Sequence, residues 1–363
     1  MKTIAFFTPS MFFGGREKVL SQIINYISEK SEYEVYLILY GKKREVLFHI
    51  NENVHIIKPN FEYNDYPSPI SFIKTLLFVR KSVLTYNIDI IVSFEEVWNR
   101  FVLLATLGIR RRKVISNRNN PYYDNGLIDS VLAKILYPQA DVLIAQTKIA
   151  KEVYEKRYNL KKCVVIGNPF KKLERSNEIL KDNIILSVGR LMNSKNHDKL
   201  IKAFSKTNNR GWKLIIVGGD FANHNNMQRL THLINEFNLQ RQVILAGAQK
   251  DVNSYLQKSK IFAFTSSKEG FPNVIGEAMA AGLPVISYDC VAGPSEMIDH
   301  GFNGFLIPLY DDELYVKKLQ YLMDNSEERK VMGENSFEKI GQFDSEVICE
   351  KFYNIITTNK FTD

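Results

Sequence analysis

The stretch from Lys260 to Asp289, KIFAFTSSKEGFPNVIGEAMAAGLPVISYD, constrains the fold of this chain more than any other. Ile261 to Thr265 form a short apolar run of strand length, Pro272-Asn273 reads as a helix start and Gly282 as its stop. Pro284 to Tyr288 then resume a buried strand. The spacing predicts a βαβ unit, which belongs to an open α/β sheet with helices on its faces. In such sheets ligands bind outside the carboxyl ends of the strands. Glu269 falls on a loop at such an end, and Glu277 follows eight residues later in the first turns of the helix.

The run Glu269-Gly270-Phe271-Pro272-Asn273 sets a carboxylate beside a glycine just ahead of a helix N-terminus, whose dipole favours anions. A carboxylate there repels phosphate but accepts hydrogen bonds from hydroxyls. The residues therefore suit a ligand with an anionic middle and a polyol at each end, the form of a nucleotide sugar. The E-x7-E motif, Glu269 to Glu277, followed by AMAAGLPVI, resembles the retaining glycosyltransferases of family 4. That resemblance covers nearly the whole chain. It implies the GT-B fold, an α/β class with two Rossmann-like domains facing a central cleft and a C-terminal helix crossing back to the first. It also implies that Glu269 contacts the donor sugar and Glu277 the ribose hydroxyls.

A chain of 363 residues, 45% hydrophobic and 24% charged, is long enough for two ordinary globular domains. Residues 169–182 are polar and without period and read as a linker. The expected domains are 1–168, binding acceptor, and 183–342, binding the nucleotide sugar, with 343–363 returning to the first. The apolar N-terminus breaks at Thr8-Pro9 and reads as a first strand, not a signal peptide. Cys163, Cys290 and Cys349 have neither metal nor redox spacing, pointing to a reducing, cytoplasmic setting.

Two loops add to the site. Gly14-Gly15 places backbone amides at a strand-to-helix turn, suited to phosphate or sugar oxygens, and the resemblance puts it opposite the donor. Gly189-Arg190-Leu191-Met192-Asn193-Ser194-Lys195-Asn196 follows a strand, and its G-R-L-x-x-x-K-N order resembles the family's donor-diphosphate segment. Arg190 and Lys195 can reach one diphosphate from there. The catalytic set is thus Glu269, Arg190 and Lys195, and the donor contacts add Gly14, Gly15, Gly189, Gly270, Phe271, Pro272, Asn273 and Glu277. No metal is expected, since Asp311-Asp312 reads as helix-capping charge and not as a D-x-D loop. No cofactor is expected beyond the donor itself.

The acceptor side is read from charge. From Met1 to Asn168 there are 24 Lys+Arg against 16 Asp+Glu, and from Pro169 onward 24 against 24, so the whole +8 lies in the first half. Such asymmetry points to an acidic partner. Nucleic acid is disfavoured, because the basic run lacks interleaved aromatics and no nucleic-acid motif is present. Arg118 and Asn119 lie where many family members carry a histidine facing the donor sugar. That role does not transfer to an arginine, which could instead grip an acceptor diphosphate. Arg110, Arg111, Arg112 and Lys113 are expected to touch an anionic inner membrane from its cytoplasmic face; the helix Ile70 to Tyr86 could help by dipping into the interface, but its apolar side is read first as packing on the sheet. The resemblance makes a polyprenyl-diphosphate-linked saccharide the expected acceptor and a UDP-hexose or UDP-N-acetylhexosamine the expected donor. A nucleotide-sugar hydrolase or epimerase is the competing enzyme class.

Overall fold

The computed structural model describes residues 1–12, 14–42, 44–62, 68–123, 126–173, 181–220 and 225–358. They form two units, Met1–Pro169 with Ser345–Asp363, and Phe170–Asp344.

The first unit runs β1 (Lys2–Thr8), α1 (Gly15–Ser28), β2 (Tyr33–Leu39), β3 (Val54–Ile57), α2 (Ser68–Thr85), β4 (Ile90–Phe94), α3 (Glu96–Ala105), β5 (Arg112–Ser116), α4 (Leu127–Leu136), β6 (Val142–Ala145), α5 (Lys148–Arg157) and β7 (Cys163–Val165). Its strands pair in parallel in the order β3-β2-β1-β4-β5-β6-β7. Central β1 is therefore apolar on both faces, with Ile4 opposite Val35 of β2 and Ile90 of β4. Helix α1 buries Val19, Leu20, Ile23, Ile24 and Ile27, the stripe its spacing predicts.

The second unit runs β8 (Ile184–Val188), α6 (His197–Ser205), β9 (Lys213–Val217), α7 (Asn226–Glu236), β10 (Val243–Gly247), α8 (Asn253–Lys258), β11 (Ile261–Phe264), α9 (Asn273–Ala280), β12 (Val285–Asp289), α10 (Pro294–Met297), β13 (Gly304–Pro308), α11 (Asp312–Asp324) and α12 (Ser326–Lys339). The parallel order is β10-β9-β8-β11-β12-β13. Strand order thus reverses between β8 and β11 here, and between β1 and β4 in the first unit. A reversal opens a crevice at the carboxyl ends of the two strands, where neighbouring helices leave on opposite faces.

Helix α13 (Ser345–Thr357) belongs to the first unit and packs on α1 and β4. Tyr26 donates to Glu350 at 2.5 Å, Tyr353 donates to Glu32 at 2.8 Å, and Phe352 stacks on Phe94. Phe170, inside the stretch read as linker, is buried in the second unit between Phe271 and Phe343. Residues 174–180 of that stretch lie outside the described residues. Asp311 caps α11 by accepting from the Leu314 amide at 3.0 Å, and Asp312 pairs with Lys199. Asp311 thus caps the helix start, whereas the Asp312 carboxylate is taken up by Lys199 and the Tyr288 hydroxyl.

Candidate active site

At the reversal in the second unit, the loop after β8 and the loop after β11 are sewn together. Thr265 Oγ1 donates to the Lys195 carbonyl at 2.9 Å, Asn196 Nδ2 to the Thr265 carbonyl at 2.9 Å, and the Ser267 amide to the Ser194 carbonyl at 2.8 Å. Asn196 is left-handed, φ 50°, which turns the chain from Lys195 into α6. The result brings Lys195 Nζ to 2.5 Å from Glu269 Oε1, with only 17% and 12% of the two side chains exposed. A basic and an acidic residue 74 positions apart thus form one partly dehydrated pair, where low polarity strengthens their attraction.

Glycines allow this approach. A side chain at Gly218 would collide with the Gly189 carbonyl, because the Gly218 loop crosses directly over the end of β8. Gly293, φ 120°, presses on Pro272 and so seats Pro294–Met297 against the Glu269–Asn273 loop. Gly276 faces the ring of Phe170, which has no room for a methyl group there. That contact holds α9, and with it Asn273 and Glu277, at a set depth. Gly189 and Gly270 are half-buried, Phe271 and Pro272 buried, Asn273 and Glu277 half-buried and Arg190 exposed. The unit gathers the whole predicted second-half set around one strand reversal.

His197 is a site residue that sequence reasoning passed over, although it directly follows Lys195-Asn196. It is 4% exposed, opens α6 beside Gly189, and has neither ring nitrogen in a well-formed hydrogen bond. Burial pushes its pKa down to about 4. The ring is therefore neutral where the site works and adds no charge beside Lys195. A His whose folded pKa lies below its unfolded value resists protonation, so the unfolded chain binds more protons between about pH 6.5 and 4. Stability should fall as the pH is lowered through that window, and His197→Phe should flatten that part of the acid limb in denaturant titrations. Cys290 lies nearby; burial raises its thiol to about 12, which makes it an inert packing residue.

In the first unit the reversal holds a different cluster. Arg16 is ion-paired with both Glu17 and Glu95, and Glu95 sits at φ 84° at the end of β4. Glu17 also folds against Gly14, so the Gly14-Gly15 turn carries a carboxylate at its helix start. Neither Glu95 nor Arg16 was singled out from the sequence; the signal was the place of Glu95 directly after central strand β4 and of Arg16 in the first turn of the helix that follows β1. Glu96 is buried and accepts from both the backbone and the side-chain amide of Asn119, at 3.0 and 2.9 Å, which fixes the loop after β5.

Three expectations on this side are corrected. Arg118 does not present a fork to a surface ligand. Its guanidinium lies over the rings of Phe94 and Phe352, at 4.7 and 5.1 Å, and donates to Asn168. Loss of water there pulls its pKa down to about 9. Arg112 is spent on α13, donating to the carbonyls of Ile355, Ile356 and Thr358. Lys113 is 6% exposed and donates to the Ile109 carbonyl. Strand alternation explains the last two, since Arg112-Lys113 begins β5 and its side chains must enter the unit. Of the run, Arg110 is exposed and Arg111 is tied to Asp89 and Asn87.

Residues 169–339 match the family model described as "Glycosyl transferases group 1". An uncharacterized glycosyltransferase of Haemophilus influenzae is 26% identical over 98% of this chain and 100% of its own length. A Campylobacter jejuni protein named N-acetylgalactosamine-N,N'-diacetylbacillosaminyl-diphospho-undecaprenol 4-alpha-N-acetylgalactosaminyltransferase is 29% identical over 95% of this chain and 96% of its own. The solved structure of Anabaena Alr3699/HepE in complex with UDP and glucose superposes with a TM-score of 0.82, at 18% identity, over 98% of this chain and 100% of that one. The two parallel Rossmann-like sheets are those of the GT-B fold.

Proposed function

We propose that this glycosyltransferase, whose residues 169–339 match the group 1 glycosyl transferase model, moves a sugar, with retention, from a UDP-linked hexose or N-acetylhexosamine to a saccharide carried on a polyprenyl diphosphate. The observation that carries the donor half is the coupling of Lys195 to Glu269 across the β8–β11 reversal, with Arg190 on the first of these loops and Glu277 in helix α9, which follows the second. Departure of the sugar loads negative charge onto the diphosphate. Lys195, Arg190 and the N-terminus of α9 supply fixed positive potential to that charge without a divalent metal. Glu269 holds the sugar hydroxyls and Glu277 the ribose, which is catalysis by positioning. The Campylobacter relative's name supports the acceptor half, as does the excess of cations before Pro169.

Calorimetry with UDP tests the donor assignment. Glu277→Ala and Lys195→Ala should each weaken binding by about 1.5–3 kcal/mol, the worth of a hydrogen bond involving a charged group. Native affinity in both folded variants would sink the assignment. Turnover should also survive chelator; activity abolished by EDTA and restored by magnesium would show a metal partner for the diphosphate. Sugar released to water with no dependence on a lipid-linked acceptor would instead favour a hydrolase.

A further inference from the structure

Helix α2 turns its small polar residues inward. Ser71, Thr75 and Ser82 are buried with Val79 and Val83, while Ile70, Ile73, Leu77 and Leu84 face solvent, Leu84 at 61% exposure. At about 100° per residue these four fall within an arc of about 60°, with Lys74 and Lys81 along one side. Helix α4 repeats the pattern. It buries Ala133 and Leu136, whereas Leu127 and Ile128 are 87% and 78% exposed and Val131 and Ile135 more than half exposed, beside Lys134. Helix α3 ties the two into one layer: Phe72 of α2 packs edge-on to Phe101 of α3, and Arg100 of α3 pairs with Asp129 of α4 at 2.9 Å. A helix spending its large aliphatic side chains on water loses the burial that usually holds it, so two such neighbours mark a surface made for another apolar phase.

Charge identifies that phase. Helices α2 to α5 carry nine Lys and Arg against four Asp and Glu, whereas α1 and α13 of the same unit carry three against three. A second copy of the chain would bring this cationic face against itself, which disfavours a symmetric dimer. We propose that the α2–α4 face docks on an anionic phospholipid bilayer, with Ile73, Leu77, Leu127, Ile128, Val131 and Ile135 entering the boundary between headgroups and acyl chains. Lys74, Lys81 and Lys134 then lie at headgroup level. Among the described residues no helix is long and apolar enough to cross a membrane, so the contact is peripheral. The inference does not depend on the donor or acceptor assignment, because lipid alone is the ligand.

The test is co-sedimentation of the full chain with vesicles of phosphatidylglycerol in phosphatidylcholine, without donor or acceptor. Partition should rise with phosphatidylglycerol and fall with salt. The variant Ile128→Ser/Val131→Ser/Ile135→Ser should reduce it at least about tenfold while keeping the native circular dichroism spectrum and thermal unfolding profile, which certifies its fold. A second variant, Ile73→Ser/Leu77→Ser, should act in the same direction. Equal partition by native chain and both variants overturns the proposal, as does failure of the native chain to bind anionic vesicles. A dimer of the native chain, dispersed by the same substitutions, would overturn it by assigning the face to a second copy.

Discussion

Glu269→Gln is expected to bind free UDP about ten- to a hundredfold more tightly than the native chain while transferring sugar at least about a hundredfold more slowly. Glu269 is ion-paired with Lys195, the cation assigned to the diphosphate. A complete donor compensates when it separates them, because its diphosphate takes Lys195 and its sugar hydroxyls take Glu269. The product UDP brings no sugar, so on binding it must strand a carboxylate with 12% side-chain exposure. The native pair therefore favours donor over product and hastens product release. The glutamine removes that competitor and leaves Lys195 open, but it also weakens the grip on the sugar. Calorimetry with UDP beside initial rates separates the effects, and unchanged UDP affinity would show that the pair stays intact when the diphosphate binds.

Arg112→Gln is expected to loosen α13 from the first unit at a cost of about 2–4 kcal/mol. The native guanidinium makes three charge-assisted hydrogen bonds of 2.7–2.9 Å to the carbonyls of Ile355, Ile356 and Thr358. These are acceptors that the end of a helix leaves unsatisfied, and the positive charge also complements the negative end of the dipole. Glutamine keeps one donor group and no charge. Arg112→Lys keeps the charge but not the planar fork, so it should recover part of the loss. Amide exchange in Ser345–Thr357 is the direct measure, since a global unfolding curve for two units need not report it. Unchanged protection in the Gln variant would mean that Phe352 on Phe94 and Tyr26 on Glu350 hold the helix unaided.

Alternation of apolar strands and amphipathic helices determined the two parallel sheets from sequence alone, because burial on both faces demands runs such as Ile4–Phe7 and Ile261–Phe264. The second-half site was legible for the same reason. Glu269, Arg190 and Lys195 lie on loops leaving the carboxyl ends of strands, with Glu277 in the helix that follows, and in an open parallel sheet that position already means the ligand edge. Spacing along the chain carried no information about which ends meet. Only the strand order placed β8 beside β11, and only the hydrogen bonds from Asn196 and Thr265 set Lys195 on Glu269. Arg112 and Lys113 looked like a surface charge run until strand pairing sent them inward, and Arg118 until Phe94 and Phe352 enclosed it. A charged residue's partner is chosen across space, through contacts that range over the whole chain, whereas the period that makes a strand or helix is local. Sequence therefore determined the elements and the loops that carry the chemistry, and tertiary structure decided which charges are available to use it.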